Sequence, residues 1–318
     1  MNGTQAERHR SAELADRAQG CLLGLAVGDA LGTTLEFSGR DSKPRQTEMT
    51  GGGPFSLRPG KWTDDTAMAL ALGESLVACG SLEPSDAMNR FVSWWREGAY
   101  SCTGTCFDIG VTTAEALRRY ERTGDPFAGP TAEDTAGNGS LMRLAPVPLF
   151  ALDDADAATR LAQEQSRLTH GAPQAVEACA FFSGLLREAV LGMGKAAVLA
   201  PRTWDGHAAV RAVADGSWRG KDRKAIRASG YVIHTLEAAL WAVGQTESFE
   251  DAVVLAVNLG DDADTTGAVT GQIAGALYGA GGIPERWLRP LAWRERIGSL
   301  ADALMRCGDA ACSEQGRA

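Results

Sequence analysis

Four glycines at intervals of four residues limit what this chain can fold into. Gly20, Gly24, Gly28 and Gly32 follow one another in a segment where, from Leu14 to Leu31, apolar residues recur at helical spacing. A helix with glycine at every fourth position has one face without side chains, so another backbone can approach that face closely. Without a long apolar segment, this pattern indicates tight packing of a soluble helix and not a membrane helix.

The rest of the chain also predicts helices. We find no convincing run of alternating apolar and polar residues, and alanine and glycine are frequent where a sheet would need β-branched and aromatic residues. The fold class is therefore all-α, a single-domain orthogonal helical bundle. Further helices are predicted at 63–80, Pro84–Glu97, Phe107–Glu121, from near Leu141, at Asp154–Leu168, Pro173–Leu191, Ala225–Val243, Phe249–Leu259, up to Tyr278, and from 291 to about Arg306. Trp94 and Trp95 are expected in the core, and the segment Pro201–Lys224 is expected to be irregular.

Length and composition suit one domain. The 318 residues are 44% hydrophobic and contain no obvious linker. We place the domain at residues 18–306, after a polar N-terminal extension, 1–17, and before a disordered tail, 307–318. The net charge of −9 is scattered along the chain, which argues against a nucleic-acid surface or an anionic-membrane surface. Seven cysteines without a Cys-x-x-Cys pair, no signal peptide and no membrane span predict a cytoplasmic protein, and we expect a monomer.

Two acidic clusters begin predicted helices. Three carboxylates and two hydroxyls lie at 261–266, and Thr63–Thr66 repeats the pattern about 200 residues earlier. Like charges this close repel unless they are protonated, freely solvated or neutralised by a cation. Oxygen-only ligands suit magnesium, manganese or calcium. The alternative is that these residues are ordinary helix N-caps and first-turn residues. If the two helices start side by side, the clusters form one cation site or a pair and support metal-assisted hydrolysis.

Other candidates have an ordinary structural alternative. Glu36 can act as a general base beside the cations, or it is simply an exposed residue at a helix end. The small, polar turn Tyr100–Cys106 can bind phosphate through backbone N–H groups at a helix N-terminus, or it is a capped turn. His170 contacts substrate or caps a helix. The Gly- and Pro-rich loop Gly39–Lys61 is long enough to serve as a lid.

Six segments together resemble the ADP-ribosylglycohydrolase family, most of all its ADP-ribosyl-dinitrogen reductase glycohydrolase type. They are Gly24–Phe37, Trp62–Met68, Gly137–Arg143, Leu168–His170, Ala228–Tyr231 and Gly260–Thr266. The resemblance implies an all-helical fold with two divalent cations, Mg²⁺ or Mn²⁺, in a cleft. It also implies hydrolysis of the bond between ADP-ribose and a modified group on a protein, with ADP-ribose as the product.

The resemblance also assigns roles by position. The implied metal ligands are Thr63, Asp64, Asp65, Asp262, Asp264 and Thr265, and the implied catalytic residues are Glu36, Asp64 and Asp264. Gly104, Thr105 and Cys106 resemble the diphosphate-binding loop, Asn138, Gly139 and Ser140 the loop around the proximal ribose, and His170 and Tyr231 the walls of the ADP-ribose cleft. A carboxylate would take the proton of the attacking water, without a covalent enzyme intermediate.

The chain departs from this pattern at two positions. Ser101 replaces an aspartate proposed for acid or base work, and we expect Glu36 or Asp108 to take over that role. Asp261 stands where many relatives have glycine, and we interpret it as a solvated cap. The expected substrate is ADP-ribosylated arginine. Serine-linked and O-acetyl substrates remain alternatives, as does an immunity protein that opposes an ADP-ribosylating toxin by enzymatic or steric means.

Overall fold

A computed structural model describes the backbone of residues 3–315 and the side chains of residues 9–307. Apart from two isolated β-bridges and short 3-10 turns, the regular structure of this part of the chain is α-helical, which confirms the predicted fold class. The helices are α1 Gly3–Gly32, α2 Asp64–Cys79, α3 Pro84–Glu97, α4 Val111–Thr123, α5 Pro146–Phe150, α6 Ala155–Thr169, α7 Pro173–Val190, α8 Lys195–Val198, α9 Ala208–Ala214, α10 Val232–Gln245, α11 Phe249–Val257, α12 Ala263–Tyr278, α13 Glu285–Leu288 and α14 Arg294–Gln315.

Helices α1 and α12 form the centre of the bundle and run antiparallel at very close range. A Cβ atom built on Gly24 would lie 2.2 Å from the carbonyl oxygen of Gly271, and one on Gly28 would lie 2.0 Å from that of Gly267. Gly20 faces Gly275 in the same way. The glycine face predicted from the sequence therefore exists, and its partner is the helix that follows the second acidic cluster.

The remaining long helices enclose this pair. Helices α7, α10 and α11 pack against α12, while α2 and α14 pack against α1. Trp62, Trp94 and Trp287 are among the largest fully buried side chains, so the prediction for Trp94 is confirmed. Trp95 is half-buried and lies under the guanidinium of Arg96, which covers its ring at 3.6 Å. Trp95 therefore lies at the edge of the core and not within it.

Two predicted helices near the cleft begin later than expected. The helix predicted from Phe107 starts at Val111, because Asp108 adopts a left-handed backbone with φ of 60° and Gly110 is extended. The helix predicted from Ala225 starts at Val232, because the chain before it runs extended and Tyr231 forms a β-bridge with Gly137. Both errors arise from loop conformations that tertiary contacts stabilise, which periodicity does not detect.

Other boundaries also differ from the sequence predictions. Helix α1 begins at Gly3, well before Leu14, since the polar residues that precede the apolar pattern are mostly good helix formers. The helix expected near Leu141 is a turn followed by α5, and the irregular segment 201–224 contains α9. Helix α14 continues to Gln315, beyond the end predicted near Arg306, while the side chains after Cys307 lie outside the described residues. The predicted tail and the domain limits stay predictions. Among the described residues, no helix combines the length and apolar character needed to cross a membrane.

Candidate metal centre and catalytic cleft

The two acidic helix starts meet at one end of the α1–α12 pair. Thr63 Oγ1, just before α2, lies 3.1 Å from Asp65 Oδ2 and 3.4 Å from Asp264 Oδ2, near the start of α12. The two clusters are therefore neighbours in space, as the sequence analysis required for a shared cation site.

Asp29 organises this meeting point, and the sequence analysis did not identify it as a site residue. Its carboxylate lies on α1, is fully buried, and accepts hydrogen bonds from the backbone N–H of Thr63 at 2.9 Å and of Thr66 at 3.1 Å. The hydroxyls of both threonines donate to it as well, at 3.0 and 2.6 Å. Asp29 thus caps α2 and aligns that helix with α1. The sequence feature that could have identified Asp29 is its position as a single carboxylate in the apolar, glycine-rich part of α1.

Five carboxylates form two overlapping groups that can hold cations. One oxygen from each of Asp29, Asp65 and Asp264 lies within 4.8 Å of the others, and the same holds for Glu36, Asp262 and Asp264. Asp264 belongs to both groups and therefore lies between them. Asp64 and Thr265 lie beside these groups and line the same cleft.

Burial and mutual repulsion raise the pKa values of these carboxyl groups and so disfavour their ionised form. Burial, and then the charge of Asp264, raises the pKa of Asp29 to about 7 and that of Asp262 to about 7. The same two causes raise the pKa of Asp64 well above its ordinary value. The pKa of Asp65 is also raised well above its ordinary value, first by burial and then by Asp29. A divalent cation bound among these oxygens would favour their ionised form and lower these pKa values.

The donor set fits a hard divalent cation. Asp65 Oδ1 is buried and has no hydrogen-bond partner among the described residues, although an unpaired buried oxygen is costly. All the ligand atoms in the two groups are carboxylate oxygens, and these groups include no cysteine or histidine. Such a set suits magnesium or manganese better than zinc. The six predicted metal ligands therefore lie close together, with the carboxylates of Asp29 and Glu36 among them, and their role as ligands stays a prediction.

Glu36 is not the exposed helix-end residue that the sequence left open. Its side chain is only 5% exposed, and Oε2 accepts hydrogen bonds from the backbone N–H groups of Ala263 at 2.9 Å and Asp264 at 3.4 Å. The carboxylate therefore stabilises the N-terminus of α12 while it lines the cleft. Burial, together with the charges of Asp264, Asp262 and Asp108, raises the pKa of Glu36 strongly.

Four of these acidic residues line a cleft of about 520 Å³, namely Glu36, Asp64, Asp262 and Asp264. Three of the predicted substrate residues line it as well: Asn138, Gly139 and His170. Asn138 Nδ2 donates to Asp262 Oδ2 at 2.8 Å and to Thr235 Oγ1 at 2.9 Å, which joins this wall to the acidic cluster. The His170 ring is buried against the Gly137–Gly139 backbone, and a Cβ on Gly139 would lie 2.7 Å from it. Burial lowers the pKa of His170 to about 3, so its ring is neutral.

The other predicted substrate residues do not line the cleft. Ser140 is fully buried and its hydroxyl lies 2.8 Å from Ser166 Oγ, so its side chain belongs to the core. Tyr231 precedes α10, and its ring packs edge-on against His234 at 5.0 Å. Gly104 and Thr105 are in an exposed turn. Cys106 is near the site. Burial raises the pKa of its thiol, and the charges of Asp64 and Asp108 raise it further.

Helix α4, like α2 and α12, begins at the cleft, and its N-terminus lies several residues after the 100–106 turn. Gly110, Val111, Thr112 and Thr113 all line the cleft, and Gly110 provides no side-chain cap. The first N–H groups of α4 are thus available to an anion. The anion-binding role predicted for the 100–106 turn stays a prediction, and the start of α4 is a second candidate for it.

Comparison with known proteins places the chain in a family. The profile of the ADP-ribosylglycohydrolase family matches residues 10–313. The chain belongs to the ADP-ribosylglycohydrolase family. It is 46% identical to an ADP-ribosylarginine hydrolase of Serratia proteamaculans, over 92% of this chain and 80% of that protein. It is 36% identical to the ADP-ribosyl-[dinitrogen reductase] glycohydrolase of Rhodospirillum rubrum, over 91% of this chain and 96% of that protein.

A solved structure is also similar. A chain described as an ADP-ribosylglycohydrolase-related protein complex superposes with a TM-score of 0.84 at 47% identity, covering 93% of this chain and 99% of that chain. The family and the fold implied by the sequence motifs are therefore confirmed. The roles of individual residues stay predictions, and they rest on the geometry above.

In this ADP-ribosylglycohydrolase, Ser101 occupies the position of the missing aspartate, and its side chain is part of a turn. Ser101 is buried in its turn, where Oγ lies 2.9 Å from Thr103 Oγ1. Asp108, in contrast, lines the cleft, and burial followed by the charges of Asp64 and Asp264 raises its pKa to about 10. Asp108 is therefore the carboxyl group near Ser101 in sequence that lines the cleft. Asp261 is exposed at the cleft, and Asp262 rather than Asp261 is the N-cap of α12.

Arg40 fixes the segment that carries Glu36. Its Nε donates to the carbonyl of Leu259 at 3.1 Å, and its two terminal nitrogens donate to the carbonyls of Arg223 and Ile226. Backbone hydrogen bonds of 2.8 Å from Phe37 N to Asp261 O, and from Asp261 N to Ser38 O, hold the same segment. The residues after Glu36 are therefore anchored to the loop that precedes α12.

We expect Arg40→Ala to lower kcat about tenfold, since displacement of a reacting group by about 1 Å costs up to about 100-fold. The substitution removes a guanidinium shared by three carbonyls and lets the Glu36 segment move. Steady-state kinetics of ADP-ribose release, with the thermal midpoint measured in parallel, test this expectation. The control is Arg45→Ala in the same loop, where the exposed side chain makes no hydrogen bond to a described residue. Equal kcat values for both variants would contradict a positioning role for Arg40.

Proposed function

We propose that this protein hydrolyses the N-glycosidic bond between ADP-ribose and arginine side chains of modified proteins, using two divalent cations, Mg²⁺ or Mn²⁺. The observation that carries the proposal is the pair of carboxylate groups that share Asp264 at the bottom of the cleft. The names of the two relatives, an ADP-ribosylarginine hydrolase and an ADP-ribosyl-[dinitrogen reductase] glycohydrolase, support the substrate class.

The cations would be held by the shared carboxylate Asp264, by Asp65 and Asp29 on one side and by Asp262 and Glu36 on the other. Asp64, Thr63 and Thr265 complete the oxygen set. Divalent cations in such a cluster supply Lewis-acid polarisation and make a water molecule more acidic. The protein's own contribution is the fixed, largely buried arrangement of these oxygens, which Asp29 and Glu36 maintain by capping α2 and α12.

Glu36 and Asp108 are the carboxyl groups best placed to move protons. Both line the cleft: Glu36 belongs to the group with Asp262 and Asp264, and Asp108 lies outside both groups. In the proposed roles, Glu36 takes the proton of the attacking water and Asp108 returns one to the departing guanidine nitrogen. Asp108 would thereby replace the aspartate that is missing at Ser101.

The walls of the cleft provide the remaining contacts in this proposal. The free N–H groups at the start of α4 are available to the diphosphate. Asn138 and Gly139, packed on the neutral His170 ring, form the wall for the ribose that joins the target. ADP-ribose is the product ligand, a monomer remains the expected state, and the cytoplasm remains the expected location.

The proposal predicts metal-dependent release of ADP-ribose from an arginine-ADP-ribosylated protein. The assay compares this substrate with a serine-linked peptide and with O-acetyl-ADP-ribose, in magnesium, in manganese and after chelation. We expect the arginine-linked substrate to have the highest kcat/KM and chelation to abolish its turnover. Release only from the serine-linked or acetyl substrate would reassign the leaving group.

A steric antagonist of an ADP-ribosylating toxin is the other candidate that the sequence left open, and Asp64→Ala separates the two. Removing this carboxylate at the start of α2 should abolish turnover by an enzyme, because its charge lies beside the two carboxylate groups. Protection by a steric antagonist would survive the substitution. Protection against ADP-ribosylation with Asp64→Ala, but without release by the wild type, would overturn the enzymatic proposal.

A further inference from the structure

Three aromatic side chains from three separate segments pack against one another, and one of them lines the cleft. The Phe37 and Phe55 ring centroids are 6.3 Å apart at an interplanar angle of 74°, and those of Phe55 and Phe107 are 5.2 Å apart at 56°. Phe37 follows Glu36 directly and lines the cleft. Phe55 belongs to the long loop 39–61, and Phe107 precedes α4. We call these three residues the aromatic rim.

Phe37 is held in an unfavourable environment. Its side chain is 68% exposed, although a benzyl group normally gains from burial. Its backbone has a φ of 56°, in the left-handed region that is unusual for a bulky residue without a specific reason. Two backbone hydrogen bonds with Asp261 maintain this conformation: Phe37 N donates to Asp261 O, and Asp261 N donates to Ser38 O. The protein thus fixes an exposed aromatic ring beside a proposed catalytic carboxylate.

The charges around the rim favour a cationic group. Aspartates and Glu36 line the cleft, and no lysine or arginine is among the described residues that line it. An aromatic face next to carboxylates suits a planar cation, since a guanidinium stacks on the ring and donates hydrogen bonds to the acids. The oxygen of a serine linkage or of an acetyl ester has no such charge, so it would gain little from this surface.

We propose that the aromatic rim binds the guanidinium and adjoining side chain of the modified arginine, with Phe37 as the residue that distinguishes arginine-linked from oxygen-linked ADP-ribose. This inference rests on the proposed function and names the group that the rim recognises. It also assigns a role to the loop 39–61, which supplies Phe55 as the support for the Phe37 ring.

The test compares Phe37→Ala, Phe37→Tyr and a control, Leu191→Ala, whose side chain is 41% exposed and does not line the cleft. For arginine-linked substrate, Phe37→Ala should lower kcat/KM about tenfold, mainly through KM, which is within the range of a cation–π contact. Phe37→Tyr keeps the aromatic face and should restore the wild-type value. The affinity for free ADP-ribose, measured by calorimetry, should be unchanged in all three variants.

Two results would overturn the inference while the proposed function stands. If wild-type protein hydrolyses the arginine substrate and Phe37→Ala does so equally well, the rim does not bind the guanidinium. If Phe37→Ala weakens the binding of free ADP-ribose as much as it lowers kcat/KM, the rim binds ADP-ribose and not the leaving group. Failure of the wild type to release ADP-ribose from arginine would instead refute the proposed function, and with it the role of the rim.

Discussion

Replacing Asp264 with asparagine is expected to reduce ADP-ribose release by about 100- to 1,000-fold, the range expected when one group that stabilises transition-state charge is removed. Asp264 is the carboxylate common to both candidate cation groups, so one substitution weakens both. Asparagine has nearly the same shape, and the side chain is buried with only 2% exposure. The loss should therefore reflect the missing charge and not a cavity.

The same variant should show an opposite effect on stability. Without cations, the wild type buries several repelling carboxylates, so removing one charge should leave the thermal midpoint unchanged or raise it. With Mg²⁺ or Mn²⁺, the wild type should gain about 2.7 kcal/mol for each bound cation at a cation concentration 100 times the Kd, because the folded state alone binds. Asp264→Asn should lose most of that gain.

Differential scanning fluorimetry with and without cation, run beside the activity assay, measures both effects. Asp261→Asn is the matched control, since that carboxylate is three residues away but exposed and outside both groups. It should keep activity within a few-fold and keep the cation-induced shift. A cation-induced shift that persists in Asp264→Asn would argue against the two-group centre.

Long, strongly periodic helices and the two acidic clusters were predictable from the sequence because each depends on local pattern. The α1 glycine face needed a backbone partner, and α12 is Gly- and Ala-rich. Asp64 and Asp264 lie in the first turns of their helices, where the helix dipole favours carboxylates. The sequence analysis could state only as a condition that the two clusters lie side by side, because nothing local fixes the relative position of segments 200 residues apart. Packing of α1 on α12, and of α2 on α1, provides that position.

The rest of the site depends on contacts between distant segments. Asp29 gains its role only when α2 begins beside α1, and its hydrogen bonds to Thr63 and Thr66 cross between these two elements. Ser140 belongs to a motif shared with the family, yet its side chain turns towards Ser166 in the core. The left-handed conformation of Asp108 moves the start of α4 and brings that carboxylate to the cleft. Periodicity and motif matching cannot detect any of these three features.

Gly28→Ala should strongly destabilise the protein. The added methyl group would lie 2.0 Å from the carbonyl oxygen of Gly267 and 2.4 Å from its carbonyl carbon. Both atoms belong to the backbone of α12, so no flexible side chain can move aside and the helices must separate. Overpacking usually costs about 1–3 kcal/mol, and we expect at least about 3 kcal/mol here because the obstacle is rigid. Chemical denaturation, or the apparent thermal midpoint, measures the loss.

Gly184→Ala is the matched control within α7. A Cβ at Gly184 meets nothing within 4 Å, so alanine should stabilise the protein by about 0.5–1 kcal/mol through helix propensity. Gly28 also lies next to Asp29, so a shift of α1 relative to α12 would move Asp29 away from Asp264. Any folded Gly28→Ala protein should therefore bind Mg²⁺ more weakly than the wild type, while Gly184→Ala should bind it equally. If both variants are equally stable and bind Mg²⁺ alike, close packing of α1 on α12 does not support the metal centre.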